Sequence, residues 1–92
     1  MSKKPTDGEL EIVNPLGLHA RAASKFVSVA NRFDADVWIG KDGQEVNGKS
    51  ILGVLMLAAA VGSKVTVRCA GRDAGDAFAG LSALIQDGFG EL

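Results

Sequence analysis

Over residues 9–14 the chain alternates, with Leu10 and Ile12 on one side and Glu9 and Glu11 on the other. A period of two is that of a half-buried strand. Asn14-Pro15-Leu16-Gly17 breaks the alternation with turn-forming residues. From 20 to 31 the period becomes helical: Ala23, Phe26, Val27 and Ala30 form an apolar stripe, and Arg21, Ser24, Lys25 and Ser28 point away from it. Residues 36–39 are strand-like, and Lys41-Asp42-Gly43 supplies a hairpin turn into Gln44-Glu45-Val46. Ser50 stands where an N-cap belongs, before an apolar helix at 51–57, with Gly62 as its expected terminator. Val65, Val67 and Cys69 alternate with polar neighbours in a fourth strand. Asp73 is suited to cap a last helix running to about Gln86, with Ala77, Leu81, Leu84 and Ile85 inward. Gly75 and Gly80 weaken that helix by about 1 kcal/mol each relative to Ala.

The order β-α-β-β-α-β-α predicts an α+β open-faced sandwich: a four-stranded antiparallel sheet with three helices on one face. Trp38, out of phase with Val37 and Ile39, falls on the bare face. The 92 residues suit one domain, with residues 1–8 as a flexible, solvated lead-in. A net charge of −1 supplies no basic field for nucleic acid. The lead-in lacks the apolar stretch of a signal peptide, and the apolar run at 51–62 is too short for a membrane span, so a cytoplasmic location is expected. The single cysteine, Cys69, falls on the buried side of its strand and reads as structural.

The candidate chemistry centres on His19, the only histidine, placed between a glycine turn and a helix start. The first amides of that helix have no intrahelical acceptors and form the positive end of its dipole, which favours an anion. Arg21 adds a guanidinium fork suited to phosphate oxygens, and neutral imidazole is a competent nucleophile near pH 7. The spacing alone leaves two readings open, a phosphohistidine site and an ordinary surface histidine. One histidine and a buried cysteine are too few for a hydrolytic triad or a metal centre. Residues 43–50 match the letters of a nucleotide-binding P-loop, but Gln44 to Val46 read as a hairpin strand, which removes the loop the motif requires. Ile51, Leu52, Val54, Leu55, Met56 and Leu57 give the second helix almost no polar face. Its outward members then mark a docking surface, unless the loop at 14–18 buries them.

Two segments carry a family resemblance. Gly17-Leu18-His19-Ala20-Arg21 resembles the active-site signature of the HPr and NPr phosphocarriers of the phosphoenolpyruvate-dependent phosphotransferase system. Asn47-Gly48-Lys49-Ser50-Ile51-Leu52-Gly53-Val54 is similar to the family's regulatory signature. The resemblance runs from about Gly8 to Phe89. It implies a stoichiometric carrier without cofactor or metal, not a stand-alone enzyme. By position, His19 matches the histidine phosphorylated on Nδ1 by enzyme I, and Arg21 the arginine attending the phosphoryl group. Ser50 matches the serine modified by an HPr kinase/phosphorylase in many bacteria. Ile51, Leu52 and Leu55 match the apolar contacts that dock enzyme I and EIIA-type acceptors. A monomer is expected, and the sugar and nitrogen branches stay open. The family usually has proline where this chain has Ala22. The rival reading is a non-carrier regulatory module acting through Ser50 and the apolar helix.

Overall fold

The computed structural model describes residues 6–92. Strands β1 (Thr6–Glu11), β2 (Asp36–Lys41), β3 (Gln44–Asn47) and β4 (Lys64–Ala70) form one sheet in the order β1-β4-β2-β3. All three pairings are antiparallel. Helices α1 (Ala20–Ala30), α2 (Ile51–Met56) and α3 (Ala74–Gln86) cover one face, and a 3-10 turn at Gly88–Gly90 follows α3. This is the α+β open-faced sandwich that the pattern predicted. The α1 stripe is buried as expected, together with Ala22, and packs with Ile12, Val37, Ile39, Val65, Val67, Leu81 and Ile85 in one core. Burying side chains of this size contributes about 1.5–3 kcal/mol each relative to exposure.

Asp42 and Gly43 both take positive φ and close a two-residue hairpin between Lys41 and Gln44. Glu45 and Val46 are therefore ladder residues, and the P-loop letters around them form no phosphate-binding loop. Cys69 is fully buried, and burial pushes its thiol pKa up.

Several boundaries and contacts differ from the sequence reading. Strand β1 starts at Thr6, not Glu9, because its ladder with β4 runs from Thr6 opposite Cys69 to Glu11 opposite Lys64. Residues 6–8 of the expected lead-in are thus strand, and residues 1–5 lie outside the described residues. Helix α2 ends at Met56, one residue short of the expected Leu57, and Gly62 is not its terminator: Ala58 turns left-handed at φ 50°, and Gly62 belongs to the turn before β4. What stops the helix is tertiary: Leu57 and Ala59 are buried, and the Ala59 carbonyl accepts Leu18 N–H at 2.9 Å. Asp73 sits at the N-cap of α3, but its side chain makes no capping bond. Its carboxylate instead accepts the N–H groups of Asp34 (3.0 Å) and Ala35 (2.8 Å), tying the loop before β2 to the start of α3. Trp38 lies on the face opposite the buried Val37 and Ile39, as expected, but is covered there: the Arg68 guanidinium lies 3.8 Å over its ring and forks onto the Glu45 carboxylate at 2.8 and 3.1 Å.

Candidate functional site

The loop between β1 and α1 is held at both ends. Ile12 N–H donates to Ser63 carbonyl, and Leu18 N–H to Ala59 carbonyl, each at 2.9 Å. Gly17 makes this course possible. It has φ 65°, and a Cβ there would lie 2.5 Å from the Ala59 carbonyl oxygen, so both conformation and space exclude a side chain. The chain then enters α1 with His19 in extended geometry at the N-cap, its carbonyl accepting Ala23 N–H at 2.9 Å.

His19 makes no side-chain capping bond, and the first turn of α1 contains no acidic residue. The amides of Ala20, Arg21 and Ala22 therefore lack intrahelical acceptors, and no carboxylate within the turn offsets the dipole. Ala22 is fully buried at the third helical position, where alanine continues the helix without strain.

The imidazole turns to a distant residue. Nε2 lies 2.6 Å from a Glu91 carboxylate oxygen, with the His19 side chain 29% exposed and Glu91 15%. The other Glu91 oxygen accepts Asn14 Nδ2 at 2.9 Å, and Asn14 Nδ2 also donates to Gly17 carbonyl at 2.8 Å. Asn14 is fully buried, and both groups facing its amide nitrogen are acceptors, which fixes the amide orientation. These donors, Asn14 first and then His19, hold the Glu91 carboxyl below the usual carboxylate range against its partial desolvation; the Lys25 charge adds to the effect. An ionised carboxylate only accepts, so Nε2 carries a proton, and in the neutral form of the ring the lone pair is at Nδ1. Nδ1 has no protein hydrogen bond among the described residues.

Arg21 is exposed and forms no ion pair among the described residues. Together with Pro15, Leu16, His19, Lys25 and Glu91 it lines an open cleft. The only histidine, the first residues of α1 and a guanidinium without an ion pair among the described residues thus line one opening. Donors and positive charge of this kind favour an anion.

Ser50, by contrast, caps α2: its Oγ accepts Gly53 N–H at 3.1 Å. Ile51 and Leu52 are exposed, 43% and 74%. Leu55 is half-buried against the core, so it is not the open surface position expected for docking. Met56 (71%), already in the apolar set of the second helix, proves to be one of its outward members; the loop residues Leu16 (71%) and Val61 extend the exposed apolar set and were missed because no period marks a loop residue as outward. Asn14 and Glu91 were also missed. Asn14 read as turn chemistry, and nothing near Glu91 in the chain signals a partner 72 positions away.

A family model described as "PTS HPr component phosphorylation site" matches residues 6–87. The chain belongs to the HPr family. Phosphocarrier protein HPr of Neisseria meningitidis is 48% identical over 82 residues, covering 89% of this chain and 92% of that protein. The HPr-like protein Crh of Bacillus subtilis is 43% identical over 79 residues, covering 86% and 93%. Among solved structures, HPr-C-His of Thermoanaerobacter tengcongensis superposes with a TM-score of 0.91 at 39% identity, covering 95% of this chain and 98% of that one. HPr proteins are phosphocarriers of the phosphotransferase system, a description that fits the site geometry.

Proposed function

We propose that this chain carries phosphoryl groups on His19 Nδ1, receiving them from phosphorylated enzyme I and passing them to an EIIA-type acceptor. The observation that supports the reading most is the His19–Glu91 bond. It commits Nε2 as donor and leaves the Nδ1 lone pair unengaged beside unpaired helix amides. In the transfer, the Nδ1 lone pair forms the new N–P bond as the donor's bond to phosphorus breaks. Arg21 and the amides of Ala20 to Ala22 receive the added negative charge, and partner-driven reversal delivers the group onward. The chain is then a stoichiometric carrier, not a catalyst. Ile51 and Leu52 form the apolar docking face, with Leu55 supporting it from below. The carrier works in the cytoplasm as a monomer that forms transient complexes. Among the described residues, no helix is long and apolar enough to cross a membrane. Incubation with enzyme I and phosphoenolpyruvate tests the reading: wild type should gain an acid-labile phosphoryl group, and absence of label rules the carrier role out.

Ser50 favours a second, compatible role. Phosphorylation there by an HPr kinase/phosphorylase would place a dianion next to Ile51 and Leu52. The free amides of α2 tolerate it, but an apolar partner does not. The similarity to Crh, the Bacillus subtilis catabolite repression HPr, supports a regulatory use of this region. A chain acting only through Ser50 would accept phosphate from an ATP-dependent kinase and none from enzyme I.

A further inference from the structure

Past the end of α3 the backbone makes a turn that is costly by itself. Gly88, Phe89 and Gly90 take φ of 62°, 57° and 75° in succession. Phe89 is not glycine, and a bulky residue in the left-handed region persists only where its surroundings compel it. Two contacts do so. The Phe89 ring is 1% exposed in the core, and the Phe89 carbonyl accepts Lys25 Nζ at 2.6 Å. Glu91 follows two residues later, its own N–H bonded to Gly88 carbonyl at 2.9 Å. The turn is thus fastened to α1 twice, through its backbone at Lys25 and through the Glu91 carboxylate at His19. Both fastening points belong to one short helix, so the first sets where the second can fall.

We propose that Lys25 is a positioning residue for phosphoryl transfer: by pinning the Phe89 carbonyl it holds Glu91 on His19 Nε2 and thereby keeps Nδ1 as the unprotonated nitrogen. The proposal deepens the carrier reading and rests on it for the transfer step, but its effect on the imidazole tautomer does not depend on any partner. Lys25 makes no hydrogen bond to the imidazole among the described residues, and nothing in its i, i+4 spacing from Arg21 would distinguish it from a solvated helix cation.

Lys25→Met removes the ammonium and keeps the aliphatic stem; Lys25→Arg keeps a donor. The ring 15N spectrum of His19 reads the tautomer directly. Lys25→Met should lower the Nε2–H share, Lys25→Arg should restore it, and Glu91→Gln combined with Lys25→Met should shift it no further than Glu91→Gln alone. With enzyme I and phosphoenolpyruvate, Lys25→Met should lose about three- to tenfold in maximal transfer rate at unchanged KM, the weight of one charged hydrogen bond acting through the ring. An unchanged tautomer in Lys25→Met overturns the proposal. So does a raised KM with an unchanged maximal rate, which would make Lys25 a partner contact. If wild type takes no label while the tautomer still shifts, the carrier reading fails and the Lys25–Glu91–His19 coupling stands.

Discussion

The N-termini of α1 and α2 start alike and end differently. Neither first turn contains an acid, and each begins with a residue in extended geometry. At α2 the cap residue turns inward, and Ser50 Oγ satisfies Gly53 N–H three positions on. At α1 the cap residue turns away, and His19 bonds to Glu91 across 72 positions of sequence. One terminus closes on itself; the other is left open beside a cleft. The same backbone feature is closed by its own cap in the first case and left with unpaired amides in the second, and the choice depends on where one side chain goes. The N-terminus of α3 is a third case, since Asp73 gives its carboxylate to the amides of Asp34 and Ala35 and joins two loops.

The largest effect should come from removing the open terminus's nucleophile. His19→Ala should lose all acid-labile phosphorylation by enzyme I while its circular dichroism spectrum stays that of wild type; label that persists would relocate the acceptor. His19→Ser should be equally inert. A hydroxyl there can cap α1, so this variant should unfold about 1 kcal/mol later than His19→Ala, about 4–8 °C in Tm. Equal midpoints for the two would show that α1 gains nothing from a cap, and the contrast with α2 would weaken.

Next in size are the helix faces beyond each terminus. Leu55→Glu should destabilise the fold by about 2 kcal/mol because it drives a carboxylate against the core. Leu52→Glu, 74% exposed, should leave Tm within a few degrees and weaken enzyme I binding at least about tenfold, about 1.4 kcal/mol. Calorimetric titration and thermal unfolding of the pair distinguish docking from packing, and matching profiles for the two would refute the assignment of faces. Arg21→Lys should then slow transfer about tenfold with little change in stability, since a point charge attracts the phosphoryl group without orienting it. Wild-type rates in single-turnover measurements would remove Arg21 from the site.

Ser50 provides a smaller test. Ser50→Ala should cost about 1 kcal/mol of stability, whereas Ser50→Asp should keep the cap and depress docking. Full enzyme I affinity in Ser50→Asp would make Ser50 structural only.

The smallest effect concerns Asp73 and acid. The backbone N–H of Asp34, foremost among its partners, holds the Asp73 carboxyl below its ordinary range. A depressed carboxyl contributes stability above its unfolded-state value, about 4, and the contribution is lost as pH falls through the lower folded value. The Tm advantage of wild type over Asp73→Asn should therefore be constant near neutrality and shrink below about pH 4. A difference that does not change with pH would mean the ionised form is not what joins the two loops.

Each of these contrasts divides along sequence distance. The helical stripe of α1, the alternation of β4 and the Ser50 cap were legible because they rest on contacts within four residues or on a strict period, and local backbone sterics decide both. His19 and Arg21 were legible as a pair for the same reason, being two residues apart at a turn-to-helix junction. Asp73 was recognised as a capping residue at the right position and assigned the wrong partner, because two loops meet there only after folding. Leu55, expected in the docking set with Ile51 and Leu52, is half-buried against the core, a difference that an almost wholly apolar helix gives no polar face to foretell.

By itself, then, the sequence determined the element order, the open-faced sandwich and the place of its one histidine at a turn-to-helix junction, through propensities and periods that each segment expresses locally. Only the tertiary structure decided which nitrogen of His19 is engaged, since that depends on Asn14 and Glu91 meeting it from a loop and a turn far apart in the chain. It likewise decided where α2 stops and which of its leucines meet solvent. Such choices are made by hydrogen bonds and packing between segments far apart in the chain, whose joining follows from the common core and from no pattern within either segment.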